Sequence, residues 1–192
     1  MFRAITLSSL FLALGGGLHA QPAPDDRAAV VHGSQTSSQP TPTLLSAAMA
    51  SSTEDSSAES ELLQLANQRR KEAGVPPLRG SEDLTAAARV HARLMVSSQQ
   101  LSHQFNGEPS LMPRLRSSGL PINSVGENVV YHSSVEKAFE ALMQSPPHRQ
   151  NLLDPDFNIA GMAALWSGGR LYVVQDFAHV VAGVMPAAKH QR

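Results

Sequence analysis

The chain has 192 residues, a formal net charge of −1 and no cysteine. That balance, with no block of Lys and Arg to neutralise phosphates, excludes a nucleic-acid partner. The lack of cysteine excludes a disulfide scaffold, thiolate zinc sites and Cys nucleophiles, so stability must come from packing.

Residues 1–20 have the pattern of a secretory signal peptide. Arg3 supplies the positive start, an apolar run follows, and Leu18-His19-Ala20 forms a cleavage site. Gly15-Gly16-Gly17 ends the apolar run too early for a membrane span, so no transmembrane segment is expected and the product is read as secreted. Residues 21–55 are rich in Ser, Thr, Pro, Gln and Ala, with few large apolar side chains to offset the entropy of ordering, and read as a linker. The ordered domain is expected over residues 56–181, with residues 182–192 as a tail.

Ser56-Ser57-Ala58-Glu59 has the capping-box pattern of a helix start, followed by Leu62, Leu65 and Ala66 at helical spacing and closed by Gly74. A second helix is predicted from Ser81, with Leu84, Ala87, Ala88, His91, Leu94 and Met95 on its inner stripe. On that apolar face His91 reads as a buried histidine bonded to a backbone carbonyl rather than as a ligand. One or two helical turns are expected over residues 110–118, with Leu111 and Leu115 inward and Gly119 as the stop. Gly126-Glu127-Asn128-Val129-Val130 reads as a short extended or turn segment. Ser133-Ser134-Val135-Glu136 is another capping box, opening a helix with Val135, Ala138, Phe139 and Leu142 inward and ended by Pro146-Pro147; a separate turn follows from His148. Residues 159–166 and 171–177 are rich in β-formers, and Gly168-Gly169 between them predicts a tight hairpin. Helices first and strands last give an α+β fold with an antiparallel sheet flanked by helices.

His103, Glu127 and His148 carry groups that ligate a divalent metal, relay protons or hold loops together, and their spacing does not choose among these. No single helix presents both imidazoles, and the H-E-x-x-H pattern is absent.

Taken in order, Asn67-x-x-Arg70, Gly74, Leu78, Leu84, Ala88, Ser102-His103, Gly126-Glu127-Asn128, Ser145-x-x-His148-Arg149-x-Asn151, Gly161 and residues 172–177 carry a resemblance. They resemble the CAP superfamily (cysteine-rich secretory, antigen 5 and pathogenesis-related proteins; the SCP domain) in its short, cysteine-free bacterial form. The resemblance implies a three-layer α-β-α sandwich with a cleft of two histidines and acidic residues, which in some relatives holds zinc or another divalent cation. By position, His103, Glu127 and His148 match three of four cleft residues. The fourth, a Glu in eukaryotic relatives, falls near Ser145, and Pro147 stands where the bacterial pattern has Gly. Asn67, Arg70, Asn128, Arg149 and Asn151 are expected to bond loop backbone. His132, His179 and His190 are expected at the surface, His132 near enough in sequence to Glu127 to add a donor.

Because one fold hosts many functions, function must be argued from the site. The leading reading is a secreted, non-enzymatic module binding a small molecule, lipid, cell-wall component or protein. A metal-assisted hydrolase is the rival, with His103 and His148 as ligands, Glu127 as base, and Ser145 or a water near the metal. A structural cell-envelope protein is the third.

Overall fold

Capping chemistry decides where the helices begin. The computed structural model describes residues 29–30 and 52–181; the signal-peptide and tail expectations and most of the linker expectation lie outside the described residues. Helix α1 (Ser56–Glu72) is capped by Asp55, whose carboxylate accepts from the Ala58 amide at 2.9 Å, so the cap lies one residue before the predicted Ser56. The strands β1 (Ala29–Val30), β2 (Thr53–Glu54) and β3 (Arg79–Gly80) are short, and α2 (Glu82–Ser98) follows with Ser81 as its cap. Then come α3 (Leu111–Arg116), β4 (Ile122–His132), α4 (Val135–Gln144), α5 (Pro146–Leu153), β5 (Ile159–Ser167) and β6 (Arg170–Val180).

The sheet runs β1-β4-β6-β5-β2, antiparallel throughout, with β3 added in parallel to β5. The β5–β6 hairpin turns on Gly168 and Gly169, both at positive φ (56° and 75°), as a primed turn requires. On one face, α1, α4 and α5 pack Leu62, Leu142 and Leu152 against Met162, Val173 and Phe177. On the other, α2 packs Ala92 and Met95 against Val129, Ala163 and Val174, and α3 adds Leu115 beside Ile159 and Ala178. Each fully buried leucine contributes roughly 1.5–3 kcal/mol relative to exposure. The fold is the three-layer α+β sandwich expected.

Gly161 sets how closely one layer approaches. A Cβ there would lie 2.3 Å from the backbone of Leu84 and Thr85, so only glycine lets α2 sit directly on β5.

Three expectations change. The segment read as linker up to residue 55 already belongs to the sheet at Thr53 and Glu54, paired with Trp166 and Leu165. The stretch around Gly126-Glu127-Asn128 is part of an 11-residue strand, not a short piece. Pro146-Pro147 does not simply end α4: the two prolines open α5, where a missing N–H costs nothing because the first amides of a helix have no intrahelical acceptor.

Candidate functional site

The alternation of β4 places consecutive residues on opposite faces of the sheet. Glu127, paired with Asp176 on β6, faces the α2 and α3 layer; Asn128, paired with Gln175, faces the α1, α4 and α5 layer. On the first side His103, in the loop after α2, donates from Nδ1 to Glu127 Oε1 at 2.9 Å. On the second, Asn128 Nδ2 donates to the backbone carbonyl of His148 at 3.0 Å. The two histidine-bearing segments are thus moored to adjacent residues of one strand. Gly126 completes the triplet: a Cβ there would lie 2.9 Å from the Phe157 ring and 3.4 Å from the Asn151 side chain.

Beneath His103 lies a buried charged network. Arg114, on α3, donates from Nη1 to Glu108 Oε1 at 2.9 Å and from Nη2 to Glu127 Oε2, and its Nη2 lies 4.0 Å from Asp176 Oδ1. His91 on α2 is wholly buried. Its Nδ1 lies 2.7 Å from Glu108 Oε1 and 3.1 Å from Arg114 Nη1, and its Nε2 lies 2.8 Å from the Ser102 carbonyl, with Glu127 Oε2 3.8 Å away. Burial presses the Glu108 carboxyl upward, but His91, the Phe105 amide and Arg114 outweigh it and hold it below the ordinary range. Asp176 behaves in the opposite way. Burial first, and then Glu127 alongside, push its carboxyl well above the ordinary value, with Arg114 pulling the other way.

Ser145 joins α4 to α5. Its amide donates to the Leu142 carbonyl at 3.2 Å and its own carbonyl accepts from Arg149 at 2.9 Å. His148, in the first turn of α5, is buried at 3 % exposure. The remaining polar residues bond mainly to backbone. Asn67 closes on Leu78 with two hydrogen bonds, of 2.9 and 2.7 Å. Arg70, fully buried, donates to the carbonyls of Pro76, Leu152, Asp154 and Phe157 at 2.7–3.0 Å. Asn151 Nδ2 reaches the Glu127 carbonyl and Asn128 Oδ1, and Arg149 the Met143 carbonyl. His132 and His179 are partly exposed, and His132 bonds within its own turn to Ser133 rather than to Glu127; His190 lies outside the described residues.

The residues do not fit a metal centre with Glu127 as a direct ligand, because one of its oxygens is engaged by Arg114 and the other by His103. Among the described residues no group of three or more His, Cys, Asp or Glu side chains is placed to hold a metal ion. Glu108, Arg114 and Asp176 escaped the sequence reading. The available signal was a carboxylate, Asp176, between the apolar runs of residues 171–174 and 177–178, since such a group is almost never fully buried without a partner.

Comparison with known proteins places the chain. The model of the CAP family, the cysteine-rich secretory protein family, matches residues 63–177. The uncharacterized protein YkwD of Bacillus subtilis is 30% identical over 111 residues, covering 57% of this chain and 43% of that protein. Three solved structures share the fold. An outer surface protein of Borrelia burgdorferi has a TM-score of 0.62 and 17% identity, covering 67% of this chain and 98% of that one. An extracellular SCP-domain protein of Bacillus anthracis has a TM-score of 0.60 and 22% identity, over 74% and 45%. A cysteine-rich secretory protein of Staphylococcus aureus has a TM-score of 0.54 and 21% identity, over 65% and 39%. The chain spans less than half the length of YkwD and of the Bacillus anthracis and Staphylococcus aureus proteins. No helix among the described residues is long and apolar enough to cross a membrane.

Proposed function

The chain belongs to the CAP family, in its cysteine-free bacterial form, and on that premise we propose that it acts outside the cell as a non-enzymatic binding module using the cleft at His103 and His148. The observation that carries this reading is the state of Glu127. A metal-assisted hydrolase needs a base within reach of a bound water. Glu127, the carboxylate the sequence offers for that task, is ion-paired with Arg114 and hydrogen-bonded to His103. Both its oxygens are engaged, and its surroundings favour holding an imidazole in place over abstracting a proton.

The extracellular setting is supported by two structural neighbours, an outer surface protein and an extracellular protein, and by the leader-like residues 1–20. The ligand belongs to the small-molecule, lipid, cell-wall or protein classes. A divalent cation, if taken, would be held by the imidazoles of His103 and His148, with Glu127 fixing the His103 ring from behind.

The test pairs binding with turnover. The protein with ¹⁵N-labelled histidines is titrated with phospholipid vesicles and with purified peptidoglycan, and incubated with general ester and peptide substrates with and without added Zn²⁺. Imidazole signals of His103 and His148 are expected to shift on titration with one of the two probes, with no turnover above a buffer-plus-zinc control. Saturable hydrolysis lost in Glu127→Gln would overturn the reading and promote the enzyme.

A further inference from the structure

The cleft histidine His103 is held by one carboxylate, and that carboxylate is held by one guanidinium. From Glu108 through Arg114 and Glu127 to His103, acceptors and donors alternate along an unbroken chain. Arg114 donates to both Glu108 (2.9 Å) and Glu127, and Glu127 accepts from Nδ1 of His103 (2.9 Å), while His91 Nδ1 packs against both Glu108 and Arg114. Arg114 is 6 % exposed and Glu127 5 %, so neither is a solvated surface pair. The other end of the network is anchored as well: His91 Nδ1 lies 2.7 Å from Glu108 Oε1 and 3.1 Å from Arg114 Nη1, and its Nε2 lies 2.8 Å from the Ser102 carbonyl.

We infer that Arg114 is the positioning residue of the cleft: by clamping Glu127 it fixes His103 as the Nδ1–H tautomer, so that Nε2 becomes the nitrogen carrying the lone pair. A carboxylate facing a guanidinium accepts and does not donate, which leaves the Nδ1 proton as the only arrangement consistent with the 2.9 Å contact. The guanidinium fork matters because it spans two carboxylates at once, Glu108 and Glu127, which a lysine head cannot do with the same geometry. The His103 side chain is 34 % exposed, so part of it reaches the surface while Nδ1 is tied to Glu127. With the ring neutral, a ligand meeting Nε2 therefore does so as a hydrogen-bond donor or a cation. This inference rests on the reading of the cleft as a binding site, and it deepens that reading by naming the chemistry His103 selects.

The tautomer can be read without any ligand, by long-range ¹H–¹⁵N correlation of the imidazole nitrogens at a pH where the rings are neutral. The wild-type His103 signal is expected in the Nδ1–H pattern; an Nε2–H pattern would overturn the inference at once. In Arg114→Met, with the fold checked by its amide spectrum, His103 is expected to relax to the mixture of tautomers of a free imidazole. His179, whose Nδ1 donates to the Asp156 carbonyl, should stay unchanged and serves as the reference for general loosening. Glu127→Gln leaves a single acceptor oxygen, which Arg114 takes, and turns its amide N–H toward His103, so the ring is expected to switch to the Nε2–H form. An unmixed Nδ1–H signal in folded Arg114→Met would show that Arg114 does not position the ring. Should that variant not fold, Arg114→Lys carries the test: a mixed His103 population is expected, and an unmixed one overturns the inference. Because no ligand enters the measurement, its failure leaves the binding-module reading standing, and failure of that reading leaves the tautomer result intact.

Discussion

Replacing Arg70 by Met should cost far more than replacing its neighbour Arg69 in the same way. Arg70 makes four bonds to carbonyls, of which those to Leu152 and Phe157 are buried, while those to Pro76 and Asp154 are partly open to water. Water can replace the open pair, so only the buried pair is counted. Hydrogen bonds involving a charged group are worth about 1.5–3 kcal/mol each, which gives roughly 3–6 kcal/mol for two. Methionine restores part of the stem packing but satisfies neither carbonyl. Against a total stability of about 5–15 kcal/mol for a domain, this loss is a large fraction. Arg69 is half-exposed and pairs only with Glu72 on the same helix at 2.9 Å, so Arg69→Met should change stability by no more than about 0.5 kcal/mol. Urea unfolding followed by the fluorescence of Trp166, the single tryptophan, measures both. Since two of the Arg70 acceptors, Leu152 and Asp154, lie at the end of α5, amide exchange in that helix should also quicken near His148. A loss under about 1 kcal/mol, or equal losses for the two variants, would refute the reasoning.

Asp176→Asn tests the buried carboxyl. Its folded value is raised above 3.8, so the stability it contributes is full below the unfolded value and is lost as pH rises through the folded one. The wild type should therefore weaken relative to the variant as pH climbs above about 4, by at most about 1.4 kcal/mol per pH unit, and parallel stability curves would count against the raised value. Asp55→Ala should cost about 1–2 kcal/mol at neutral pH and Ser56→Ala little, because Asp55 caps α1 and also accepts from Trp166 Nε1 at 3.1 Å. The Asp55 carboxyl lies below its ordinary value, chiefly through the Ala58 amide, so its contribution should disappear as pH falls through that lowered value; thermal melts from neutral to acid pH decide this. Zn²⁺ alone should raise the melting temperature only slightly, and only when well above stoichiometric, since two imidazoles without a free carboxylate make a poor site. His103→Ala should remove the effect, whereas a large shift at stoichiometric zinc would mean that Glu127 leaves Arg114 to ligate.

The helices were legible because their signals are local. The stripes of α1, α2 and α4 are spelled out by Leu62, Leu84 and Leu142 at helical spacing, and a cap is a single residue, although the choice among neighbouring Ser and Asp side chains slipped by one at Asp55 and at Ser134. The strand β4 was under-read because Glu127 and Asn128 break its apolar pattern, although both are buried, at 5 % and 0 % exposure. A polar pair reads as loop unless the partners that satisfy it are known, and these come from α3 and α5. The network around Arg114 had no local signature for the same reason. Its members sit on α2, the following loop, α3, β4 and β6, and only the fold brings them together.

The placement of Glu127 and Asn128 on opposite faces makes the mooring of both histidine segments a property of strand register. From Ser124 to His132 the pairing with β6 is continuous, and the one irregularity lies before it, between Ile122 and Ser124. An extra residue at that bulge can be absorbed where the strand already bends. The same insertion between Ser124 and Glu127 would turn the carboxylate toward α5 and the amide toward His103, because a shift of one residue exchanges the faces of a strand. Both histidine segments would then lose their moorings in a single event. The two histidine-bearing segments are therefore not independent parts that can drift separately: one hydrogen-bond ladder indexes them both.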